Sequence, residues 1–373
     1  MNLFDVYPLF DITPARAEGS WLWDEKGDKY LDLYGGHAVI SIGHSHPHYI
    51  KRITDQLNRI GFYSNSVQNP LQVEFAEKLG ALSGYSDYQL FLCNSGAEAN
   101  ENALKIASFL TGRKKIIAFE RAFHGRTSGA VAATDNAKIV SPFNAGHEVL
   151  FLPMNDKQAF DAAIGSDVAA VIIEGIQGVG GIRVPDDDFL QHLEHRCAAS
   201  GAMLILDEIQ SGYGRTGKFF AHQYAGIRPP LITTAKGMAN GFPIGGVLIH
   251  PDVKAWSGML GTTFGGNYLA AAAGLAVLEV MAEEDLITNA LNMGNYLFEK
   301  LRTFQPVNEL RGRGLMIGID LPDSHKHVRS NLLHRHRIFT GESKPNVVRL
   351  LPSLAMTQDQ ADMFLDALGD ELK

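Results

Sequence analysis

Seven short aliphatic segments recur through the middle of the chain, each separated from the next by a connecting stretch. They are residues 88–93, 115–120, 149–153, 169–174, 203–207, 231–235 and 245–250. Strands alternating with helices favour a mostly parallel sheet, because parallel neighbours need crossover connections. The sequence therefore predicts an α/β fold whose large domain, residues 50–284, contains a doubly wound, mostly parallel sheet.

Two of the predicted strands lead to charged residues. Asp207 ends the run that starts at residue 203, and Lys236 follows the run that starts at residue 231. A structural salt bridge at a sheet edge would explain this pair. Pyridoxal phosphate (PLP) chemistry also needs both residue types, since a lysine forms the Schiff base and an acid holds a proton on the pyridine nitrogen.

A third segment has the pattern of an anion site. The predicted strand 88–93 is followed by Asn-Ser-Gly-Ala-Glu-Ala-Asn at residues 94–100 and then by a predicted helix. The free N–H groups and the positive dipole end at a helix N-terminus attract phosphate. Ser95, Gly96 and Ala97 are therefore candidate phosphate ligands, and the alternative is an ordinary Ser-Gly helix cap.

Six motifs in order resemble those of the class III (ω-amino acid) aminotransferases. Residues 21–357 share the likeness, which is strongest for the acetylornithine aminotransferases within that family. The motifs are NSGAEAN (94–100), AFHGRT (122–127), LDEIQSGYGRTG (206–217), AKG (235–237), PIGG (243–246) and GTTFGGN (261–267). The resemblance implies the fold-type I architecture of PLP-dependent transferases, with a small α+β domain formed jointly by residues 1–49 and 285–373.

The resemblance also implies the cofactor and its contacts. Lys236 would carry PLP and move protons, while Asp207 would keep the ring nitrogen protonated. Thr263 would reach the phosphate from the partner subunit, so the expected assembly is a C2 homodimer with shared sites. The other expected contacts are the phosphate ligands Ser95, Gly96 and Ala97, the stacking ring of Phe123, and Gln210 at the phenolic oxygen.

Substrate carboxylates call for arginines, and the resemblance points to Arg126 and Arg349. Arg349 would receive the α-carboxylate of glutamate. The implied reaction moves the terminal amine of an N-acylornithine, acetyl or succinyl, to 2-oxoglutarate in arginine biosynthesis. The alternatives are another class III chemistry (ornithine, 4-aminobutyrate or another ω-amine donor, or a semialdehyde aminomutase) and a non-catalytic PLP-binding protein.

Two positions bear on the choice of substrate. Relatives acting on ω-amines place a glutamate where this chain has Val179, and that glutamate can pair with the arginine corresponding to Arg349. Ornithine aminotransferases place a tyrosine near Gly36, where this chain leaves room for an acyl group. Glu174, at the end of its predicted strand, is expected to support the site without touching the reacting atoms.

Composition and spacing argue against several other classes. A net charge of −8 and a pI near 5.9 disfavour a nucleic-acid surface. The apolar stretch 268–281 is too short to cross a membrane. Two cysteines without disulfide spacing, and no export-signal pattern, predict a cytoplasmic protein.

Two motifs resemble binding sites for other ligands, but the residues around them do not fit such sites. Residues 212–217 match the glycine pattern of dinucleotide sites, yet no clear helix follows them. The histidines at 44, 46 and 48 are crowded around Pro47, so we expect a turn before a helix and no metal.

Overall fold

The computed structural model describes all 373 residues, in fifteen strands and eleven helices. The strands are β1 (Pro14–Glu18), β2 (Trp21–Asp24), β3 (Lys29–Asp32), β4 (Gln89–Cys93), β5 (Lys115–Phe119), β6 (Val149–Leu152), β7 (Val168–Glu174), β8 (Met203–Asp207), β9 (Leu231–Thr234), β10 (Gly245–Ile249), β11 (Glu309–Arg313), β12 (Met316–Asp320), β13 (Ile338–Phe339), β14 (Gly341–Ser343) and β15 (Val347–Leu350). The helices are α1 (Gly35–Ala38), α2 (Pro47–Arg59), α3 (Pro70–Ser83), α4 (Gly96–Thr111), α5 (Ser128–Ala132), α6 (Lys157–Ala163), α7 (Asp187–Ser200), α8 (Tyr268–Glu283), α9 (Leu286–Leu301), α10 (Val328–His334) and α11 (Gln358–Glu371).

A seven-stranded sheet in the order β4-β10-β9-β8-β7-β5-β6 forms the centre of the fold. Only β10 runs against its neighbours; the pairs β9-β8, β8-β7, β7-β5 and β5-β6 are parallel. Every residue of β7 is buried, as expected for a strand covered on both faces. The carboxyl ends of the parallel strands therefore meet at one edge of the sheet.

All seven predicted strands are present, each ending within one residue of its predicted bounds. The prediction of a mostly parallel sheet in an α/β fold is confirmed. The apolar stretch 268–281 forms most of α8, which is buried along nearly its whole length. No helix of the chain is long and apolar enough to cross a bilayer.

Two smaller sheets flank the large one. The first has the order β1-β2-β3-β13, so a strand from the C-terminal part pairs with the N-terminal strands. The second, β11-β12-β15-β14, is antiparallel throughout. A backbone hydrogen bond from Leu351 to Leu33, 2.8 Å long, links the two ends of the chain again beside the central cavity.

Candidate active site

A cavity of about 440 Å³ opens at the carboxyl edge of the large sheet. Glu174 ends β7 and Asp207 ends β8, and the two residues lie opposite each other in the parallel register. Lys236 follows the end of β9, the next strand. The fold thus brings together the acid and the lysine that the sequence singled out, and both line the cavity.

Asp207 is held as a hydrogen-bond acceptor on the cavity wall. Its Oδ2 accepts from Asn100 Nδ2 and from His124 Nδ1, both at 2.7 Å, and its Oδ1 accepts from the Ile209 N–H at 3.0 Å. Asn100 is itself fixed, since its Oδ1 accepts from Thr233 Oγ1 at 2.7 Å. Three donors around a buried carboxylate satisfy its oxygens and fix its orientation.

Sequence reasoning missed Asn100 and His124. Asn100 lies in α4 and His124 follows β5, and both are fully or almost fully buried. Polar side chains that are so deeply buried usually have a defined partner, and here the partner is the same carboxylate. Asn100 lies within the NSGAEAN motif and His124 within the AFHGRT motif, but the motifs alone do not show that both side chains bond to Asp207.

Lys236 is half-buried and has a left-handed backbone, φ 41°. Burial lowers its pKa, although the nearby carboxylates of Asp207 and Glu174 act in the opposite direction. A buried lysine with a lowered pKa has a larger neutral fraction, and the neutral amine is the form that acts as nucleophile or base.

The N-terminus of α4, where a phosphate site is expected, faces the cavity. Ser95 caps the helix, with its Oγ accepting from the Glu98 N–H at 3.2 Å. The N–H groups of Gly96 and Ala97 lie in the first turn of the helix, where no helical carbonyl can accept from them, so they remain free for a ligand. Position 96 needs glycine, because a Cβ there would lie 2.8 Å from the Ile209 side chain. All three predicted phosphate ligands line the cavity.

Glu174 is buried between backbone donors. Its carboxylate accepts from the Phe123 N–H at 3.0 Å and from the Gly178 N–H at 2.9 Å. Burial raises the pKa of Glu174 to about 7; His124 opposes that change and Asp207 adds to it. The site therefore holds one carboxyl group that titrates near neutrality beside one fixed by three donors.

We expect the substitution Glu174→Gln to flatten the pH dependence of stability of the cofactor-free protein. The pKa of Glu174 rises from its ordinary 4.5 to about 7 in the folded state, so the folded protein holds a proton that the unfolded chain releases. Its stabilising contribution is present below pH 4.5 and is lost as the pH rises through 7, by up to about 3 kcal/mol. Melting temperatures between pH 5 and pH 8 should fall more for the parent than for the variant, and equal slopes would contradict the assignment.

The two predicted substrate arginines occupy different settings. Arg126 lines the cavity, is exposed, and forms no salt bridge within the chain. Arg349, on β15, is only 4 % exposed and does not line the cavity. Its Nη1 donates to the Gly178 carbonyl at 3.0 Å, and its buried Nε has no partner.

Three further predicted residues can be placed. Phe123 lines the cavity, as expected of a ring-stacking residue. Gln210 also lines it, with Nε2 donating to the His37 carbonyl at 3.1 Å and a buried Oε1 without a partner. Thr263 is not on the cavity wall of its own chain, although its neighbour Thr262 accepts a hydrogen bond from Asn94 at 3.2 Å.

The segments that suggested other ligands have ordinary structural roles. Residues 212–217 lead into a 3₁₀ turn, Ala221–Tyr224, rather than into an α-helix that could receive a dinucleotide. His44, His46 and His48 bond to three different carboxylates, those of Asp32, Glu284 and Glu279 respectively.

This donor set fits PLP. A phosphate group finds free N–H groups at the start of α4, and a planar ring finds apolar side chains, Phe123 and Ile209, on the cavity wall. A carboxyl group that accepts three hydrogen bonds, Asp207, and a lysine with a lowered pKa, Lys236, line the same cavity. The buried Oε1 of Gln210, which has no protein partner, is a polar atom left for a ligand.

Comparison with known proteins agrees with this chemistry. The family model for class-III aminotransferases matches residues 5–372. An acetylornithine aminotransferase from Bacillus subtilis (strain 168) is 41% identical over 369 residues, covering 96% of this chain and 94% of its own. One from Archaeoglobus fulgidus is 38% identical over 370 residues, covering 98% and 97%.

Solved structures share the fold. An ornithine aminotransferase from Toxoplasma gondii, with PLP partly occupying its active site, superposes with a TM-score of 0.91 at 27% identity, over 98% of this chain and 90% of its own. An (S)-enantioselective ω-transaminase from Thermomicrobium roseum gives 0.89 at 28% identity, over 99% and 97%. The predicted fold-type I architecture is thereby confirmed.

Proposed function

The chain belongs to the class-III aminotransferases and is a PLP-dependent transaminase, and we propose that it moves the terminal amine of an N-acylornithine to 2-oxoglutarate. The products are glutamate and the N-acylated semialdehyde, a step of arginine biosynthesis. The observation that carries the proposal is similarity to acetylornithine aminotransferases along almost the whole chain, 36–41% in sequence identity. Purified protein given an N-acylornithine and 2-oxoglutarate should release both products, detectable by mass spectrometry.

Two residues of the cavity, Lys236 and Asp207, would act directly on the cofactor. Lys236 would hold the cofactor covalently, and its Nζ would afterwards carry a proton between substrate carbon and cofactor carbon. Asp207 would keep the ring nitrogen protonated, aided by the donors Asn100 and His124. When bound, PLP supplies an electron sink for the carbon that bears the amine.

The other residues of the site would hold the cofactor and the substrates in position. Ser95, Gly96 and Ala97 would hold the phosphate, Phe123 would stack on the ring, and Gln210 would bond the phenolic oxygen. Arg126 would take the carboxylate that lies farthest from the reacting amine, and Arg349 the α-carboxylate of glutamate. Such charge-assisted hydrogen bonds contribute about 1.5–3 kcal/mol each.

Room for an acyl group supports an acylated donor over free ornithine. Gly36 is exposed and left-handed, φ 55°, and a Cβ built there would meet nothing within 4 Å. Because an acylated nitrogen is neutral, the pocket needs no carboxylate to receive it.

We further propose that the enzyme is a cytoplasmic C2 homodimer, with residues 50–284 as the large domain and residues 1–49 with 285–373 as the small one. Both cysteines are free and buried, which suits a reducing compartment. Large apolar side chains that a partner would cover are exposed: the ring centroids of Phe62 and Phe264 lie 5.4 Å apart, and Trp256, which packs on Phe109 in the last turn of α4, is 49 % exposed.

Hybrid dimers test whether Thr263 acts across the interface. Lys236→Ala and Thr263→Asp each leave a homodimer with two defective sites. If Thr263 serves the partner's site, a hybrid of the two variants has one site with both defects and one intact site, so the isolated hybrid should have about half the parental activity and a random mixture about a quarter. No recovery from hybrids confirmed by mass would place Thr263 in its own chain's site, and parental activity in the Thr263→Asp homodimer would place it in neither.

A further inference from the structure

Arg349 is a buried cation without a carboxylate partner. In this chain the position that could supply one is Val179, next to the Gly178 carbonyl that accepts from Arg349. No acidic side chain lies within salt-bridge distance of Arg349, and burial lowers its pKa. An isolated guanidinium in such a setting needs an anion or a shield.

The Tyr34 ring lies beside Arg349, and His37 packs against Tyr34. Gly341 is directly opposite Arg349 in the β14-β15 pair, and a Cβ on Gly341 would lie 2.6 Å from the Tyr34 ring and 3.3 Å from Arg349 Cβ. The rings of Tyr34 and His37 are 4.6 Å apart, and the Tyr34 hydroxyl contacts the His37 ring. Burial raises the pKa of Tyr34, and Arg349 opposes that change; burial lowers the pKa of His37, and Arg349 and Lys236 lower it further.

The segment that carries these two side chains is strained. Four consecutive residues, Gly35, Gly36, His37 and Ala38, have left-handed φ values of 56°, 55°, 70° and 65°. His37 and Ala38 have a Cβ and resist that conformation. Such strain persists only where the surrounding structure fixes it, and the glycines at 35 and 36 permit the backbone to turn there.

We propose that Tyr34 and His37 form a movable cover over Arg349 and are the specificity-determining pair that separates the two amine donors. The inference rests on the proposed function. With a terminal amine bound, the reacting carbon carries no carboxylate, and the cover keeps Arg349 out of the cavity. With glutamate bound, the α-carboxylate displaces the cover and pairs with Arg349. Tyr34 thereby shields Arg349, which is the role expected of the glutamate that relatives acting on ω-amines have at position 179.

Calorimetric titration of the cofactor-bound enzyme with glutarate tests the cover. Glutarate has both carboxylates of glutamate but no amine, so it reports on Arg349 without turnover. Tyr34→Ala should lower its Kd about tenfold, because no cover has to be displaced. Tyr34→Phe, which keeps the packing on Gly341, should lower it less. Arg349→Gln should raise the Kd by about 10- to 100-fold, and the distant control Tyr296→Phe should leave it unchanged.

Half-reaction rates give a second readout. In Tyr34→Ala, kcat/KM should rise for glutamate and fall for the N-acylornithine, since a bare guanidinium then faces the incoming ammonium group. Adding Val179→Glu to Tyr34→Ala should return both values, and the glutarate Kd, towards those of the parent. A parent-like ratio of the two rates in Tyr34→Ala would contradict the inference.

Two calorimetric results would overturn the cover: a glutarate Kd in Tyr34→Ala within twofold of the parent, or parental glutarate affinity in Arg349→Gln. Failure of the proposed function would look different. The parent would then not react with N-acylornithines at all, while glutarate binding, which involves no amine donor, would still report on Tyr34 and Arg349.

Discussion

Replacing Lys236 with alanine should abolish turnover, with a loss of about 10⁴-fold or more in kcat. The lysine is the only amine on the cavity wall, and its lowered pKa makes it suited both to hold the cofactor and to move the proton. The variant should still bind PLP through the α4 cradle and Asp207, but without a covalent bond. Absorbance spectra and borohydride reduction followed by peptide mapping measure this directly.

In the parent protein, borohydride should fix the cofactor on Lys236. The control Lys114→Ala removes an exposed lysine and should behave as the parent. Label on another lysine, or substantial turnover by Lys236→Ala, would show that the covalent residue lies elsewhere.

Replacing Asp207 with asparagine should lower the half-reaction rate by roughly 10²–10³-fold, the scale for losing one preorganised electrostatic stabiliser. Asparagine is nearly isosteric but carries no charge. The hydrogen bonds from Asn100 and His124 would then converge on a neutral group, and the ring nitrogen would lose the anion that keeps it protonated. Single-turnover absorbance changes with glutamate give the rate.

Asp161→Asn is a matched control, because Asp161 also bonds a histidine, His192, but lies on α6 away from the cavity. It should retain the parental rate. Near-parental activity in Asp207→Asn with cofactor still bound would move the ring-nitrogen role to another residue.

The large sheet was predictable because its inner strands are buried on both faces and are therefore largely aliphatic. Asp207 and Lys236 were predictable for a related reason: Asp207 is the last residue of one such strand, Lys236 lies two residues after another, and parallel strands end at one edge. The residue types within each short segment were enough to predict the sheet and these two site residues, as they were for Ser95 at the start of α4.

Contacts between distant segments were not predictable. The hydrogen bond between His124 and Asp207 spans 83 residues of sequence, and its register depends on where β5 and β8 end. The position of Tyr34 beside Arg349 depends on the pairing of β14 with β15 and on a left-handed run of residues. The adjacent glycines at 35 and 36 indicated an unusual backbone but not what it covers.

The most direct test of the account is kcat/KM for three amine donors, N-acetylornithine, N-succinylornithine and free ornithine, each with 2-oxoglutarate. The open space at Gly36 and the free guanidinium of Arg126 predict that at least one acylated donor exceeds ornithine, by about 10-fold or more if the acyl group fills an apolar pocket. Free ornithine equal to or better than both acylated donors would contradict the proposed function and favour an ornithine-type transaminase.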